Sequence, residues 1–115
     1  MSASFPKQAR ILKGSDYSSV LKRPQRKLTK GAVQVKVRAN GLACARLGLV
    51  VPKRGTAKAH DRNKLKRVIR EQFRLIRYSL PAEDIVVQVF REVAVDTLKQ
   101  TLKQQFSTLA DGDKQ

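Results

Sequence analysis

The clearest strand pattern in the chain is an alternation of apolar and polar residues over 32–39. Valine occupies positions 33, 35 and 37, and the positions between them hold Gln34, Lys36 and Arg38. Because successive side chains of a strand point to opposite sides, the valines predict a face that packs on helices. The other face of this strand would be polar and basic. The dipeptide Asn40-Gly41 then predicts a turn.

Three further segments have strand character. Residues 46–51 form a largely apolar run that ends at Pro52, and 84–90 is rich in β-branched residues. A short edge strand is predicted to begin near Leu28. The connection from 46–51 through a long helical segment to 84–90 forms a crossover, which predicts that these two strands are parallel neighbours in one sheet.

Helical periodicity predicts three helices. A short first helix would begin after a cap at Ser15 or Asp16 and end at Pro24. A long second helix would begin between positions 56 and 61 and run to about position 79. A third would cover 95–109. Its apolar face would consist of Leu98, Leu102, Phe106 and Leu109.

The long second helix combines apolar and cationic residues in the segment RNKLKRVIREQFRLIR, residues 62–77. On an ideal helix the two classes fall on opposite arcs, so one side can pack on a core while the other presents fixed cations. The apolar arc consists of Leu65, Val68, Ile69, Phe73, Leu75 and Ile76. The cationic arc consists of Lys66, Arg67, Arg70, Arg74 and Arg77, with Asn63 among them.

Together these elements predict an α/β (α+β) two-layer sandwich, in which a small mixed sheet packs against helices. The length of 115 residues suits one domain, and we expect that domain to cover 1–115. Within it, residues 1–14 are expected to form an extended basic segment and 110–115 a flexible tail.

Charge points to a polyanionic partner. The chain carries 25 Lys and Arg against 9 Asp and Glu, a formal net charge of +16. Such an excess attracts nucleic acid. An anionic membrane is the competing partner, but it requires a broad apolar helix face, whereas a core can use up the narrow faces found here.

The compartment follows from what the sequence lacks. No apolar run approaches the roughly 18 residues of a membrane span, so we expect no membrane association. The N-terminus lacks the apolar region of a secretory signal. A single cysteine, Cys44, cannot form an internal disulfide. These features predict a cytoplasmic protein.

Self-sufficient catalysis has few candidate residues. The only histidine, His60, has no neighbouring nucleophile pattern, and neither a metal-ligand spacing nor a glycine-rich phosphate loop is present. We therefore expect no catalytic residue, no metal ligand and no cofactor bound by side chains alone. A two-metal nuclease built from scattered carboxylates stays an alternative, although the positive charge disfavours a bare cation site.

The cationic arc is expected to contact phosphates. Glu71 is the only acid between positions 62 and 77, so pairing along the helix cannot neutralise this face. Lys53, Arg54 and Lys58 extend the patch into the preceding loop, and arginine is well suited to bidentate phosphate contacts. Tyr17, on the short first helix, could stack on an unpaired base or pack in the core, and both alternatives stay open.

These segments resemble the protein component of bacterial ribonuclease P. That family has a pattern of the form R-N-R-x-K-R-x-x-R-E. The matching positions here are Arg62, Asn63, Lys64, Lys66, Arg67, Arg70 and Glu71. The stretches FPKQARILKGSDYSSVL, RLGLVVPKR with KAHDRN, and LPAEDIVVQVF resemble further family segments in the same order. Lys64 departs from the family's arginine, because it keeps the charge but not the bidentate geometry.

The resemblance implies a fold with a left-handed βαβ crossover, similar to a domain of a small-subunit ribosomal protein. It also implies the protein subunit of the ribonuclease P holoenzyme, an endoribonuclease that removes the 5′ leader of precursor tRNA. The implied partners are the catalytic RNA and precursor tRNA, with a monomer on each RNA. The catalytic groups and Mg²⁺ would belong to the RNA. A structural RNA-binding protein of the ribosomal type, with no role in cleavage, is the alternative.

The resemblance also assigns roles by position. The RNA-binding residues would be Arg62, Asn63, Lys64, Lys66, Arg67, Arg70, Lys53 and Arg54. The leader cleft would include Tyr17 and Leu21. The patterns described above add Arg74 from the cationic arc and Lys36 from the polar face of the 32–39 strand.

Overall fold

The computed structural model describes residues 10–11 and 14–111. Its centre is a four-stranded sheet with the strand order β1-β2-β4-β3. The strands are β1 (Arg26–Lys30), β2 (Val33–Ala39), β3 (Arg46–Val50) and β4 (Glu83–Val89), and the helices are α1 (Gly14–Lys22), α2 (Ala59–Ile76) and α3 (Val95–Ala110). The predicted helices and strands are thus all present.

Most elements end near the predicted positions, but α1 begins at Gly14, so the cap predicted at Ser15 or Asp16 was wrong. A 3₁₀ turn, Arg77–Ser79, continues α2 to the position where the sequence predicts its end. Helix α3 includes Ala110, the first residue of the expected tail. Residues 112–115 lie outside the described residues, as do 1–9, 12 and 13 of the expected extended segment.

The sheet pairing confirms the crossover. Strand β2 pairs antiparallel with both β1 and β4, whereas β3 pairs parallel with β4. The chain leaves β3, forms α2, and returns in β4 beside the strand it left. The predicted turn after β2 is also present, because Gly41 adopts a φ of 69°, in the left-handed region that glycine occupies without strain.

The valine face of β2 lies in the main core, as predicted. Val35 and Val37 are fully buried together with Ile85 and Val87 of β4, and these strands pack against α2 and α3. Beneath the sheet, Phe73 of α2 meets Phe106 of α3 edge to face, with ring centroids 6.2 Å apart. The predicted α+β sandwich is therefore confirmed.

Helix α1 covers part of the opposite face of the sheet. Val86 lies between two core residues of β4, so its side chain points away from α2 and α3. Val20 of α1 is buried against Val86 and Ile11, and Tyr17 and Leu21 pack around this small cluster. The polar face of the sheet is thus only partly open to solvent.

One residue of the predicted apolar arc is not in the core. Leu75 is 62% exposed, whereas Ile69 and Phe73 of the same helix are fully buried. Leu75 lies at a surface depression between α2 and α3. The prediction for Leu75 was wrong because its side chain lies at the edge of the apolar arc, where it lines an open depression instead of packing in the core.

An ionic network joins three elements at one end of the sheet. Arg46 of β3 donates two hydrogen bonds to Asp84 of β4, at 2.8 and 2.7 Å, and a third to Asp16 of α1 at 3.3 Å. Asn40 also donates to Asp84, at 3.0 Å. The bonds to Asp84 raise the pKa of the Arg46 guanidinium above its ordinary value. The network fixes the position of α1 on the sheet.

Candidate nucleic-acid interface

A groove of about 520 Å³ lies between α2 and the outer edge of β3. The α2 wall is lined by Lys66, Arg67, Arg70, Glu71 and Arg74. The opposite wall and floor are lined by Arg10, Ile11, Tyr17, Leu47 and Leu49. One wall is therefore mainly cationic, whereas the floor is apolar and carries one aromatic ring. We name this feature the α2–β3 groove.

The cations of the α2 wall differ in how they are paired. Arg74 donates to Glu71, with Nε 3.1 Å from Oε1, and this contact lowers the pKa of the Glu71 carboxyl. Glu71 is therefore ionised at neutral pH and offsets part of the Arg74 charge. Within the described part of the chain, no acid forms an ion pair with the remaining three cations of the wall. Those three are Lys66, Arg67 and Arg70.

The aromatic ring in the groove is fixed by the edge of β3. The backbone N–H of Leu49 donates to the Tyr17 hydroxyl at 3.3 Å, and the ring lies against Gly48. A Cβ atom added at Gly48 would lie 2.6 Å from Cε1 of Tyr17, which is too close for any packed side chain. The ring is half-buried yet still lines the groove, so Tyr17 belongs to both the packing and the surface.

The remaining part of the β3 edge is paired with the N-terminal segment. Ile11 donates its backbone N–H to the Leu47 carbonyl at 3.0 Å, and Arg10 forms a parallel bridge with Leu47. This pairing brings the Arg10 side chain to the groove from the side opposite α2. The groove is therefore built from residues 10–11, α1, β3 and α2.

The three residues predicted for a leader cleft share one face of the sheet but do not all line the α2–β3 groove. Lys36, Val86 and Gly48 are register neighbours in one row across the sheet. Tyr17 lies on Gly48 at one end of this row, and Leu21 packs on the small cluster around Val86. Lys36 lies at the other end. The surface that joins them therefore runs across the strands beside α1.

Arg62 has a contact that the sequence did not predict. Its Nη1 donates to the carbonyl oxygens of Thr56 at 3.1 Å and Ala57 at 2.8 Å. The half-buried guanidinium therefore holds the loop before α2 against the first turn of the helix. Part of its hydrogen-bonding capacity is used inside the protein, while its charge remains near the surface.

The other predicted RNA-binding residues lie outside the α2–β3 groove. Asn63 and Lys64 are exposed near the start of α2, and Lys53 and Arg54 are exposed in the turn after β3. Lys64 lines a separate depression together with two acids, Asp61 and Glu92. The predicted set thus divides between the groove and the N-terminal end of α2.

Apart from Tyr17, the residues of the wall opposite α2 were not identified from the sequence. This wall forms because residues 10–11 pair with the distant strand β3, and such pairing leaves no pattern in the local sequence. The residues concerned are Arg10, Ile11, Leu47 and Leu49. Gly48 offered the one available indication, since a glycine inside a strand often marks a close approach by another group.

Within the described residues, no group of three or more Asp, Glu, His and Cys side chains is placed to hold a metal ion. In the same part of the chain, no helix combines the length and apolar character required to cross a bilayer. The expectations about metal ions and the cytoplasm stay predictions.

Comparison with known proteins identifies the family. The sequence profile of the Ribonuclease P family matches residues 5–111. The ribonuclease P protein components of Escherichia coli and Shigella boydii are each 41% identical over 93 residues, which cover 79% of this chain and 76% of the relative.

Solved structures show the same fold. The RNase P protein of Staphylococcus aureus matches with a TM-score of 0.73 at 28% identity, covering 92% of this chain and 95% of that one. The RNase P protein of Thermotoga maritima matches with a TM-score of 0.70 at 33% identity, covering 86% and 96%.

The fold and the groove define a small basic α+β protein of the kind seen in those structures. The chain belongs to the ribonuclease P protein component family. Proteins of this family are components of a tRNA-processing holoenzyme.

Proposed function

We propose that this chain is the protein subunit of a ribonuclease P ribonucleoprotein, which binds the catalytic RNA and the 5′ leader of precursor tRNA. The observation that supports the proposal is the juxtaposition in the α2–β3 groove. Arg67 and Arg70, which have no acidic partner among the described residues, line the groove together with Tyr17 and an apolar floor. Phosphates of a single strand would lie on the cations, and an unpaired base would stack on the ring.

The end of α2 outside the groove would face the catalytic RNA. Four exposed residues at this end of the helix carry a charge or an amide group suited to phosphates: Lys53, Arg54, Asn63 and Lys64. Arg62 would add positive charge to this surface and would also position the loop before α2, since it donates to the carbonyl oxygens of Thr56 and Ala57. The expected arrangement is one protein monomer between catalytic RNA and substrate.

This arrangement has a physical consequence for the two RNA molecules. Both are polyanions, so they repel each other at the contact that cleavage requires. A layer of fixed cations between them lowers the repulsion and reduces the need for a high concentration of Mg²⁺. The metal ions and the groups that cleave the substrate would belong to the RNA, since no residue of this chain is proposed as catalytic.

The groove would also discriminate between substrate and product by affinity. Precursor tRNA has a leader to place in the groove, whereas mature tRNA has none. The protein would therefore bind the substrate more tightly than the product, which favours substrate selection and product release.

Reconstitution with the cognate catalytic RNA tests the proposal. At low Mg²⁺, we expect the protein to accelerate cleavage of precursor tRNA, and the variant Lys66→Gln/Arg67→Gln to lose much of this effect. The charge-matched control is Arg91→Gln/Lys99→Gln, at two exposed cations outside the groove. Cleavage that is unchanged by the wild-type protein would contradict the proposal. Cleavage by the purified protein without RNA would place the catalytic groups on this chain instead.

The leader contact has its own test. We expect Tyr17→Ala to weaken binding of precursor tRNA more than binding of mature tRNA. Tyr78→Ala is the matched control, because Tyr78 is 86% exposed and does not line the groove. Equal losses for both tRNA forms would assign Tyr17 a packing role alone. Capture of ribosomal RNA rather than one stable catalytic RNA from cells would favour the structural RNA-binding alternative.

A further inference from the structure

A second cationic surface lies at the C-terminal end of α1, on the side of the sheet away from α2. It consists of Lys22, Arg23, Lys27 and Arg38, and we name it the cationic corner. We infer that this corner binds phosphates of the leader beyond the nucleotides held in the α2–β3 groove. The inference rests on the proposed function and extends its binding surface.

The first observation is a pair of like charges. Lys27 of β1 is the direct register partner of Lys36 of β2, and both side chains lie on the face that carries α1. Like charges directly opposite each other on an antiparallel pair destabilise a sheet. Within residues 10–11 and 14–111, no acid forms an ion pair with either lysine. A bound polyanion would remove this repulsion.

The second observation is a fixed guanidinium beside the pair. Nη1 of Arg38 donates to the backbone carbonyl of Arg23 at 2.9 Å, which orients the group at the end of α1. Together with Lys22, Arg23, Ser18 and Ser19, it lines a depression of about 300 Å³. The Ser19 hydroxyl already donates to the Ser15 carbonyl at 3.1 Å, so the cations and the Ser18 hydroxyl are the groups suited to phosphate oxygens.

The corner is continuous with the proposed leader cleft. One row of the sheet runs from Lys27 through Lys36 and Val86 to Gly48, under the ring of Tyr17. This row spans three interstrand spacings, or about 14 Å. Helix α1 lies along it as a wall. A strand that leaves the α2–β3 groove beside α1 would therefore reach Lys36 first and then Lys27.

Protection of a sheet edge does not explain the whole corner. Lysine on an exposed edge strand discourages pairing with other chains, which accounts for Lys27 on β1. It does not account for Arg38, on an interior strand, or for Lys22 and Arg23, on a helix. Asp84, the register partner of Arg38, is already bound to Arg46, as is Asp16.

The test uses the reconstituted holoenzyme and precursor tRNAs whose leaders range over roughly 4 to 16 nucleotides, the span covered by single-strand binding folds. The corner variant is Lys22→Gln/Arg23→Gln/Lys27→Gln, which leaves Lys36 intact. The control variant is Arg91→Gln/Lys99→Gln/Lys103→Gln, which removes the same charge from exposed positions elsewhere. Affinity is measured at several salt concentrations.

We expect the corner variant to bind short-leader precursor like the wild type and to lose roughly tenfold in affinity for the longest leaders, as the loss of about three phosphate contacts implies. Its salt slope for the longest leaders should fall by about 2. The control variant should keep the leader-length dependence of the wild type.

Two outcomes would overturn the inference. If the corner variant keeps the wild-type dependence on leader length, the corner binds no leader. If it loses affinity equally for precursor tRNA, mature tRNA and the catalytic RNA alone, the corner contacts a different RNA segment. In both cases, if Lys66→Gln/Arg67→Gln still reduces the acceleration of precursor tRNA cleavage, the proposed function stands and only the inference about the corner fails. The failure of the inference is therefore distinguishable from the failure of the proposed function.

Discussion

The ring of Tyr17 rests on the backbone of Gly48, and the absence of a side chain at Gly48 is what allows this contact. The Tyr17 hydroxyl then accepts a hydrogen bond from Leu49, the next residue of β3, at 3.3 Å. A glycine in a strand normally weakens it. Here the same glycine lets an aromatic ring lie at the floor of the α2–β3 groove and close the edge of the sheet.

Gly48→Ala should displace the Tyr17 ring, since the added Cβ would lie 2.6 Å from Cε1 and 2.9 Å from Cζ. We expect a loss of precursor tRNA affinity of about 1–3 kcal/mol, the value of one base–aromatic stack, with little change for mature tRNA. Gly14→Ala is the control, because a Cβ there meets nothing within 4 Å. Equal affinities for precursor in the two variants would contradict the assigned position of the ring.

Arg67 and Arg62 should respond differently to replacement by glutamine. Arg67 is exposed in the groove, so its loss should lower the salt slope of RNA binding by about 0.7–0.9 without changing the thermal midpoint. Arg62 also holds two loop carbonyls, so its loss should lower both the slope and the midpoint. The measurements are binding titrations in a salt series and thermal unfolding.

An unchanged salt slope in both variants would remove the assigned phosphate contacts. A midpoint that stays at the wild-type value in Arg62→Gln would show that its carbonyl contacts do not stabilise the loop.

Glu71→Gln should strengthen RNA binding through the groove. The carboxylate offsets part of the Arg74 charge, so its removal should free a cation and steepen the salt slope. Weaker RNA binding by Glu71→Gln would contradict this prediction.

The ion pair between Glu71 and Arg74 also makes the stability of the fold depend on pH. Because the pKa of Glu71 is lowered, the pair stabilises the fold above the ordinary pKa of the carboxyl, and this contribution is lost as pH falls through the lowered pKa. Acid titration of the wild type and Glu71→Gln measures the difference in stability.

Asp84→Asn should destabilise the fold by roughly 3 kcal/mol, because it leaves the mostly buried Arg46 without its main partner. The double variant Arg46→Met/Asp84→Leu should be less destabilised than the sum of the single variants, since no charge is then buried alone. Chemical denaturation of the wild type, Arg46→Met, Asp84→Leu and the double variant measures the coupling. Additive changes would show that Arg46 and Asp84 do not interact in solution.

The sequence predicted those parts of the fold that depend on regular repeats. The valines of β2 and the amphipathic pattern of α2 each follow one period, so the order of residues alone identifies their buried faces. Leu75 shows the limit of this reasoning. It lies at the edge of the apolar arc of α2, and whether α3 covers a side chain at that edge depends on packing between elements that no single period contains.

Apart from Tyr17, the candidate site was predicted on one side only. The cations of α2 form a local pattern, so Lys66, Arg67, Arg70 and Arg74 could be placed together. The opposite wall depends on the pairing of residues 10–11 with β3, a contact between distant segments. Likewise, the loop contacts of Arg62 depend on how the chain folds back before α2, which charge alone does not reveal.

Strand β1, with the sequence RKLTK, forms the free edge of the sheet opposite β3. A second copy that added its own β1 to this edge would bring three positive side chains of each chain into close range. Such repulsion hinders self-association through the sheet until a polyanion neutralises it. The same edge that resists fibre-like stacking therefore helps to keep individual copies available for their RNA.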